Sequence, residues 1–373
     1  MDKNEQVFTD LPEALVEEAL SKSEEEGSKF YKSFKELKIL KQTVRPLLEK
    51  ENFIRNENEL PYSEIPTTSG IDGSYVVERL LAADFVACAA VAVEGIVPPS
   101  EKSYWPRPRH RLYIKAEPHN IDSGTIARGI MMEMEMDLAV EAPHSVVFID
   151  GSFSTPLIYI NQSMSKYLES EEKSETGNEL EKRFESFISN YRRILESNRT
   201  DKVWTSVPKY TSKREIGKMF NFQSSYDDRA ILTTILRAGE FTRPIDVEPP
   251  QQPYHIKLPD GNIDTSFDFL LRRIKVFYYR PFKWSPALRI EIGPNVASND
   301  AQLALLVRGV KAQCAAPNIL EPYPLFLADR MVKNLSTAVK SFRQIATKKI
   351  IEMEEDEDLT DIIFGMHGYR TEM

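Results

Sequence analysis

Cysteine is nearly absent. The chain of 373 residues has two, Cys88 and Cys314, both in apolar surroundings. That excludes a disulfide framework or a cysteine zinc site as the organising feature, and a reducing cytoplasm is expected. Long apolar runs are missing too. The longest, Phe85 to Val97, is interrupted by Glu94 and falls short of the ~18 residues that span a membrane. The opening residues, MDKNEQ, lack a secretory basic-then-apolar layout. Histidine is scarce: His110, His119, His144, His255 and His367 show no ligand spacing. Basic charge is outweighed, with 48 Lys and Arg against 57 Asp and Glu, a net charge of −9. This argues against a protein that coats nucleic acid with its whole surface. It leaves a local basic channel open, because the field depends on distribution.

What the chain does have is one short element twice. Ile71-Asp72-Gly73-Ser74-Tyr75 is matched by Ile149-Asp150-Gly151-Ser152-Phe153. The second copy follows Val146-Val147-Phe148, a buried strand by its apolar run. A carboxylate at the end of such a strand is costly to bury unpaired. Two of them side by side would seat a divalent cation. Glycine after each lets the backbone turn and leaves room for a ligand. Two Asp-Gly turns would account for the same letters.

Along the chain, residues 10–50 read as two helices, with Asp10 and Glu13 as a capping box and Pro12 in the first turn. Residues 51–69 are polar and irregular. Strands are expected over 70–77, 84–97 and 112–116, joined as an antiparallel meander. A helix over 121–140 turns Ala127, Ile130, Met131, Met134 and Leu138 inward. Glu133 and Asp137 then share one flank, and Glu135 lies on the other near Arg128. The methionines of this helix read as core filling. A charged loop at 169–179 precedes a helix at 180–197, a strand at 202–207 and a helix at 227–238. Residues 245–265 connect to a strand pair at 275–279 and 287–292, then helices at 300–315 and 324–347. The run from Glu352 to Asp361 is an acidic tail. Strands first, then strands alternating with helices, give an α/β fold. It is a ribonuclease H-like mixed sheet flanked by helices. The expected organisation is an N-terminal helical arm over 1–64, a main domain over 65–348 and a tail over 349–373.

At this point the sequence resembles the NurA family of DNA nucleases. The resemblance rests on Ile71-Asp72-Gly73-Ser74, the helix with Arg128 and Glu133, Phe148-Ile149-Asp150-Gly151-Ser152 and Val207-Pro208-Lys209. It continues through Asp228-Arg229, Gly239-Glu240-Phe241-Thr242-Arg243-Pro244, Phe277-Tyr278-Tyr279-Arg280 and Leu288-Arg289-Ile290-Glu291 to Tyr323-Pro324-Leu325-Phe326-Leu327-Ala328-Asp329. It implies a ribonuclease H-like homodimer that cuts DNA with Mn²⁺, with Mg²⁺ as the alternative. Degradation from the 5′ end, internal cutting of single strands and a hexameric translocase partner, HerA, are implied with it. The implied metal ligands are Asp72, Glu133, Asp150 and Asp329, with Glu135 the alternative to Glu133. Some family members have His where this chain has Asp329, and Asp remains a hard ligand suited to Mn²⁺.

The chemistry asks for such a set. Two cations ~3.5–4 Å apart can activate water, offset developing charge and help the leaving oxygen. Lys209 is the candidate for holding the scissile phosphate, or it is a solvated loop lysine. Tyr323 is the candidate for orienting DNA or water, or it packs beside Pro324. Two cation–aromatic mixtures suit single-stranded DNA. One is Arg107, Arg109, Arg111 and Lys115 with Tyr104, Trp105 and Tyr113. The other is Lys202, Lys209, Lys213 and Arg214 with Trp204 and Tyr210. The competing functions are a catalytically inactive structural subunit of a translocase complex and a Piwi-type nuclease. No separate guide-binding domains are visible for the latter.

Overall fold

The computed structural model describes residues 11–80, 83–96, 103–209, 211–222, 224–317 and 319–353. Where the sequence suggests two helices there is one, α1 (Glu13–Lys50). Pairs such as Lys22–Glu18 at 2.5 Å and Lys29–Glu25 at 3.1 Å lie a turn apart along it. Such pairs support a helix that tertiary contacts do not. Asp10, the expected cap, lies outside the described residues. Only the last turns of α1 are anchored. Leu37, Val44 and Leu48 are buried there, and Arg45 makes a paired contact with Glu240 at 2.9 and 2.8 Å.

β1 (Ile54–Asn56) adds an edge strand within the stretch that reads as irregular. Then come β2 (Thr68–Arg79), β3 (Asp84–Glu94) and β4 (Arg109–Glu117), the expected antiparallel meander. α2 (Ser123–Glu141) crosses back to β5 (Val146–Asp150), which pairs in parallel with β2. α3 (Thr155–Glu169) occupies a stretch for which the sequence reading has no element. Its buried Leu157, Ile160, Met164 and Tyr167 keep helical spacing. α4 (Glu175–Leu195) starts inside the expected charged loop, where the Gly177 N–H donates to the Ser174 side chain. That is an ordinary N-cap.

β6 (Val203–Val207) pairs in parallel with β5. The chain continues through α5 (Glu215–Met219), α6 (Asp228–Ile235), β7 (Glu240–Thr242) and β8 (Ile245–Asp246). A small ribbon of β9 (Ile256–Lys257) and β10 (Ile263–Asp264) and the short α7 (Ser266–Arg272) lead to β11 (Lys275–Arg280) and β12 (Leu288–Ile292). α8 (Pro294–Ala297), α9 (Asp300–Gln313) and α10 (Tyr323–Met353) close the chain. Most of the acidic tail, from residue 354, lies outside the described residues.

The main sheet runs β1-β7-β11-β12-β6-β5-β2-β3-β4, with β8 beside β11. The segment β4-β3-β2-β5-β6 is a meander followed by two parallel strands reached through helices, which is the ribonuclease H-like core. Alternation of side chains sets the two faces. Ile71, Val147 and Ile149 join one core with the methionines of α2 and residues of α3 and α4. Val146 and Phe148 join another with Leu303, Val307 and Val310 of α9 and Leu325 of α10. Among the described residues no helix is long and apolar enough to cross a membrane.

Candidate active site

The parallel pairing places Ile71 opposite Ile149. Asp72 and Asp150 follow as neighbours, on the face that carries α10. The two short elements nevertheless differ. Gly151 turns the chain with φ +75°, whereas Gly73 stays inside β2. A Cβ on Gly73 would lie 2.5 Å from Glu135 Oε1 and 2.6 Å from Met131 Cγ. The glycine there makes room for α2 rather than a turn.

A second glycine brings in the next carboxylate. A Cβ on Gly70 would meet the backbone of Leu325 at 2.3 Å and Pro324 at 2.4 Å, so the first turn of α10 rests directly on β2. Leu325 is buried against the sheet. Asp329 is one turn further on the same face and so arrives beside Asp72.

Lys209, just after β6, is the hub. Its Nζ lies 2.9 Å from Asp329, 3.4 Å from Glu321, 3.7 Å from Asp150 and 3.9 Å from Asp72. The Arg229 guanidinium donates to the Lys209 carbonyl and positions it. Burial pushes the Lys209 ammonium down, but Asp150, Asp329, Glu321 and Asp72 together hold its pKa above the usual lysine value. Burial and then the Asp150 charge push Asp72 up to about 8, against Lys209 and the Gly73 N–H. Asp150 and Glu321 are also raised, chiefly by burial. Asp329 is lowered, because Lys333 and Lys209 outweigh its own burial.

Glu133 is not brought to this cluster. Its carboxylate meets Arg183 of α4 at 3.0 Å and the Ser186 hydroxyl at 3.2 Å. Glu135 takes the inward position instead. Burial first, then Asp72 and Asp150, raise its pKa well above the usual carboxylate range. Tyr323 opens α10 half-buried, and its hydroxyl makes no hydrogen bond among the described residues. Six positions at 100° per residue leave it ~120° around the helix from Asp329, which is why it does not join the carboxylates.

Glu321 escaped the sequence reading. The only signal was an acid set beside Pro322 and Pro324. The turn after Asp150 is held by another charge that sequence does not reveal. Glu291 accepts from the Ser152 hydroxyl at 2.8 Å and the Phe153 N–H at 2.9 Å.

The expected DNA-binding mixtures are mostly spent on the fold. Lys202 is buried, donates to the Ala142 carbonyl and stacks over Trp204. Trp204 is buried as well, with its N–H on the Ala139 carbonyl at 2.8 Å. Tyr210 lies outside the described residues. On β4, Arg111 pairs with Asp137 and Glu141 and Lys115 with Glu175, while Trp105 is buried. Arg107 and Tyr104 remain exposed.

Asp72, Asp150, Glu135, Glu321 and Asp329 offer only oxygen donors, the set that suits Mg²⁺ or Mn²⁺. Asp150 Oδ1 is buried with no hydrogen-bond partner, so one donor atom is uncommitted. The residues present therefore fit such an ion. Among the described residues no three potential ligands yet stand at the mutual spacing of a closed metal shell. That is consistent with an ammonium between them.

Asp150 ends its strand as expected, whereas Asp72 lies within β2, which runs on to Arg79. An α/β protein with carboxylates gathered on two neighbouring parallel strands of a ribonuclease H-like sheet is the class that fold and site define. The NurA domain model matches residues 66–334, and the chain belongs to the NurA family. Its fold is similar to that of the NurA nuclease from Sulfolobus solfataricus, with 15% identity and a TM-score of 0.58 over 91% of this chain and 98% of that one. The crystal structure of NurA with manganese matches at 14% identity and a TM-score of 0.50, over 86% of this chain and 97% of that one. No curated protein matches the chain.

Proposed function

We propose that the chain is a metal-dependent DNA nuclease, using Mn²⁺ with Mg²⁺ as the alternative. The observation that carries this is the gathering of Asp72 inside β2, Asp150 at the end of β5, Glu321 just before α10 and Asp329 within it, all within 4 Å of Lys209 Nζ. Asp72, Asp150, Glu135 and Asp329 would hold the cations, with Glu321 adding charge beside them. Bound cations supply an activated water and offset charge on the phosphoryl oxygens. With the carboxylates committed to cations, the Lys209 ammonium would be available to the scissile phosphate, where a fixed positive charge favours the transition state. Arg229 holds the Lys209 backbone in place for this. Manganese is preferred because a solved NurA structure holds it.

The finer assignment follows the family. It is 5′-to-3′ degradation and single-strand cutting in cytoplasmic DNA end processing, repair or phage defence. The partners are a second copy of the chain and a HerA-type hexameric translocase. The front of α1 offers apolar area for such contacts, with Leu15, Leu20, Phe30 and Phe34 each at least half exposed. In this organisation an arm over 1–64 and a tail over 349–373 flank the nuclease domain.

One observation favours a second reading. The Lys209 ammonium already serves the carboxylates as a shared counter-ion, as it would in a catalytically inactive structural subunit. Full-length protein with end-labelled single-stranded DNA in Mn²⁺, Mg²⁺ or EDTA separates the two. Cleavage in Mn²⁺ that EDTA abolishes is expected. No cleavage in any metal, with or without the translocase, leaves the structural subunit.

A further inference from the structure

A cavity of about 220 Å³ opens at the carboxyl ends of β5 and β6, on the side of the sheet that carries α3 and α7. In open α/β sheets this is where ligands collect. Its wall begins at Ser152, two residues past Asp150, and includes Pro208, the residue before Lys209.

The floor is a closed charge network. Arg289 gives Nη1 and Nη2 to Glu215 at 2.8 Å each, Nη1 also to the Tyr278 hydroxyl at 3.0 Å, and Nε to Glu291 at 3.1 Å. Its other Nη2 proton faces Glu291 at 3.0 Å. No donor of this arginine is left for a phosphate. Over the whole lining Lys213 and Arg289 are outnumbered by Glu215, Glu248 and Glu291, so an anion is disfavoured. What remains is apolar wall from Phe153, Tyr254 and Leu271, with hydroxyls at Ser154 and Thr211. A neutral, flat molecule with a hydrogen-bonding edge matches that lining.

We propose that this cavity receives one unstacked nucleobase, that of the nucleotide flanking the phosphate held at Asp150 and Lys209. The proposal rests on the nuclease reading above and adds a base-binding subsite to it. Extracting a base costs a few kcal/mol and least from a strand that is already single. The cavity therefore selects single strands and frayed ends over intact duplex.

The test uses the full-length protein in EDTA with single strands carrying 2-aminopurine at successive positions. Its fluorescence rises when the base leaves the stack. The expected result is a rise at one position, lost in Ser212→Trp. Ser212 is an exposed loop residue on the cavity wall, so the bulky side chain fills the space without entering a core. A thermal melt equal to the parent's verifies that, and strand binding by anisotropy should weaken by about fivefold, one base contact among several. In Mn²⁺, Ser212→Trp should cut single strands about fivefold more slowly or worse, the scale of one lost base contact. Tyr254→Ala, which removes one wall, should reduce the rise as well. A bound strand that brightens nowhere, or brightens equally in Ser212→Trp, overturns the cavity while cleavage in Mn²⁺ keeps the nuclease reading. A parent that neither binds nor cuts DNA removes both.

Discussion

Replacing Asp72 by Asn separates what the carboxylate cluster costs from what it does. Asp72 is 7% exposed. Burial, then Asp150, raise it to about 8 from 3.8, with Lys209 opposing. The folded value lies above the unfolded one. Between those two pH values the folded chain keeps a proton that the unfolded chain has lost, so stability falls as pH rises. The cost is absent at pH below 3.8 and complete above about 8. Its slope is at most ~1.4 kcal/mol per pH unit. The Asn variant keeps the shape without the charge, and Lys209 still has three carboxylates beside it. Removing one buried charge that its surroundings disfavour should then recover on the order of a few kcal/mol. At roughly 2 °C per kcal/mol for a large domain, the metal-free variant should melt several degrees higher at about pH 9 and little differently at low pH. Manganese should invert the order. A ligand at a hundred times its Kd stabilises by about 2.7 kcal/mol, and the variant should forfeit most of that. Calorimetric melts of both proteins with EDTA or Mn²⁺, at high and low pH, read all four corners. A metal-free variant that melts lower at high pH, or an equal Mn²⁺ shift in both proteins, refutes the reasoning.

Cleavage by Asp72→Asn or Asp150→Asn should fall at least ~100-fold, with the double variant little worse, because groups that act as a unit are not additive. Additive losses in single-turnover assays would show separate roles. Glu135→Gln should lose activity on the same scale while Glu133→Gln keeps most of it, like control changes at Asp122 and Asp137. The reverse pattern would put the wrong face of α2 in the site. Lys209→Met should destabilise the metal-free protein by about 3–5 kcal/mol, because its carboxylates are left buried without a cation. Urea melts should show Mn²⁺ restoring much of that loss, and an unchanged midpoint would mean that the lysine is not their counter-ion. Light scattering at micromolar concentration should give twice the chain mass of 42.8 kDa, and a species of single mass would remove the dimer.

Seven of the ten strands of the main sheet were legible because they carry apolar runs bounded by polar turns, as in β5, whereas the two- and three-residue strands β1, β7 and β8 are too short to show a period. The convergence of Asp72 and Asp150 was legible because the same five-residue context recurs. α3 was not, although its buried positions repeat at helical spacing. It begins with Thr155-Pro156 directly after a glycine turn, and that start reads as loop. Glu321 lies outside any element, so no periodicity points at it. The basic stretches misled for another reason. Composition cannot show that Lys202 and Trp204 cap the α2 end from inside, or that Arg111 has Asp137 and Glu141 across from it. A cation read from sequence is available to DNA only if no acid of the fold has claimed it.

The same principle decides between the two acids of α2. An amphipathic helix reveals its phase because one face is wet. Thirteen of the nineteen residues of α2 are buried, so its pattern fixes no single inward face, and Glu133 at 4% and Glu135 at 3% exposure are equally enclosed. Two positions apart on a helix, they are rotated by ~200° and must face different neighbours. Glu133 meets Arg183, and its charge is compensated within the fold. Glu135 meets Asp72 and Asp150, which add to the cost of its charge. A buried carboxylate beside two others, with one backbone N–H from Gly73 set against them, is favoured to hold a proton or to share a cation with them. On that ground we propose Glu135, rather than Glu133, as the acid of α2 that acts with Asp72 and Asp150.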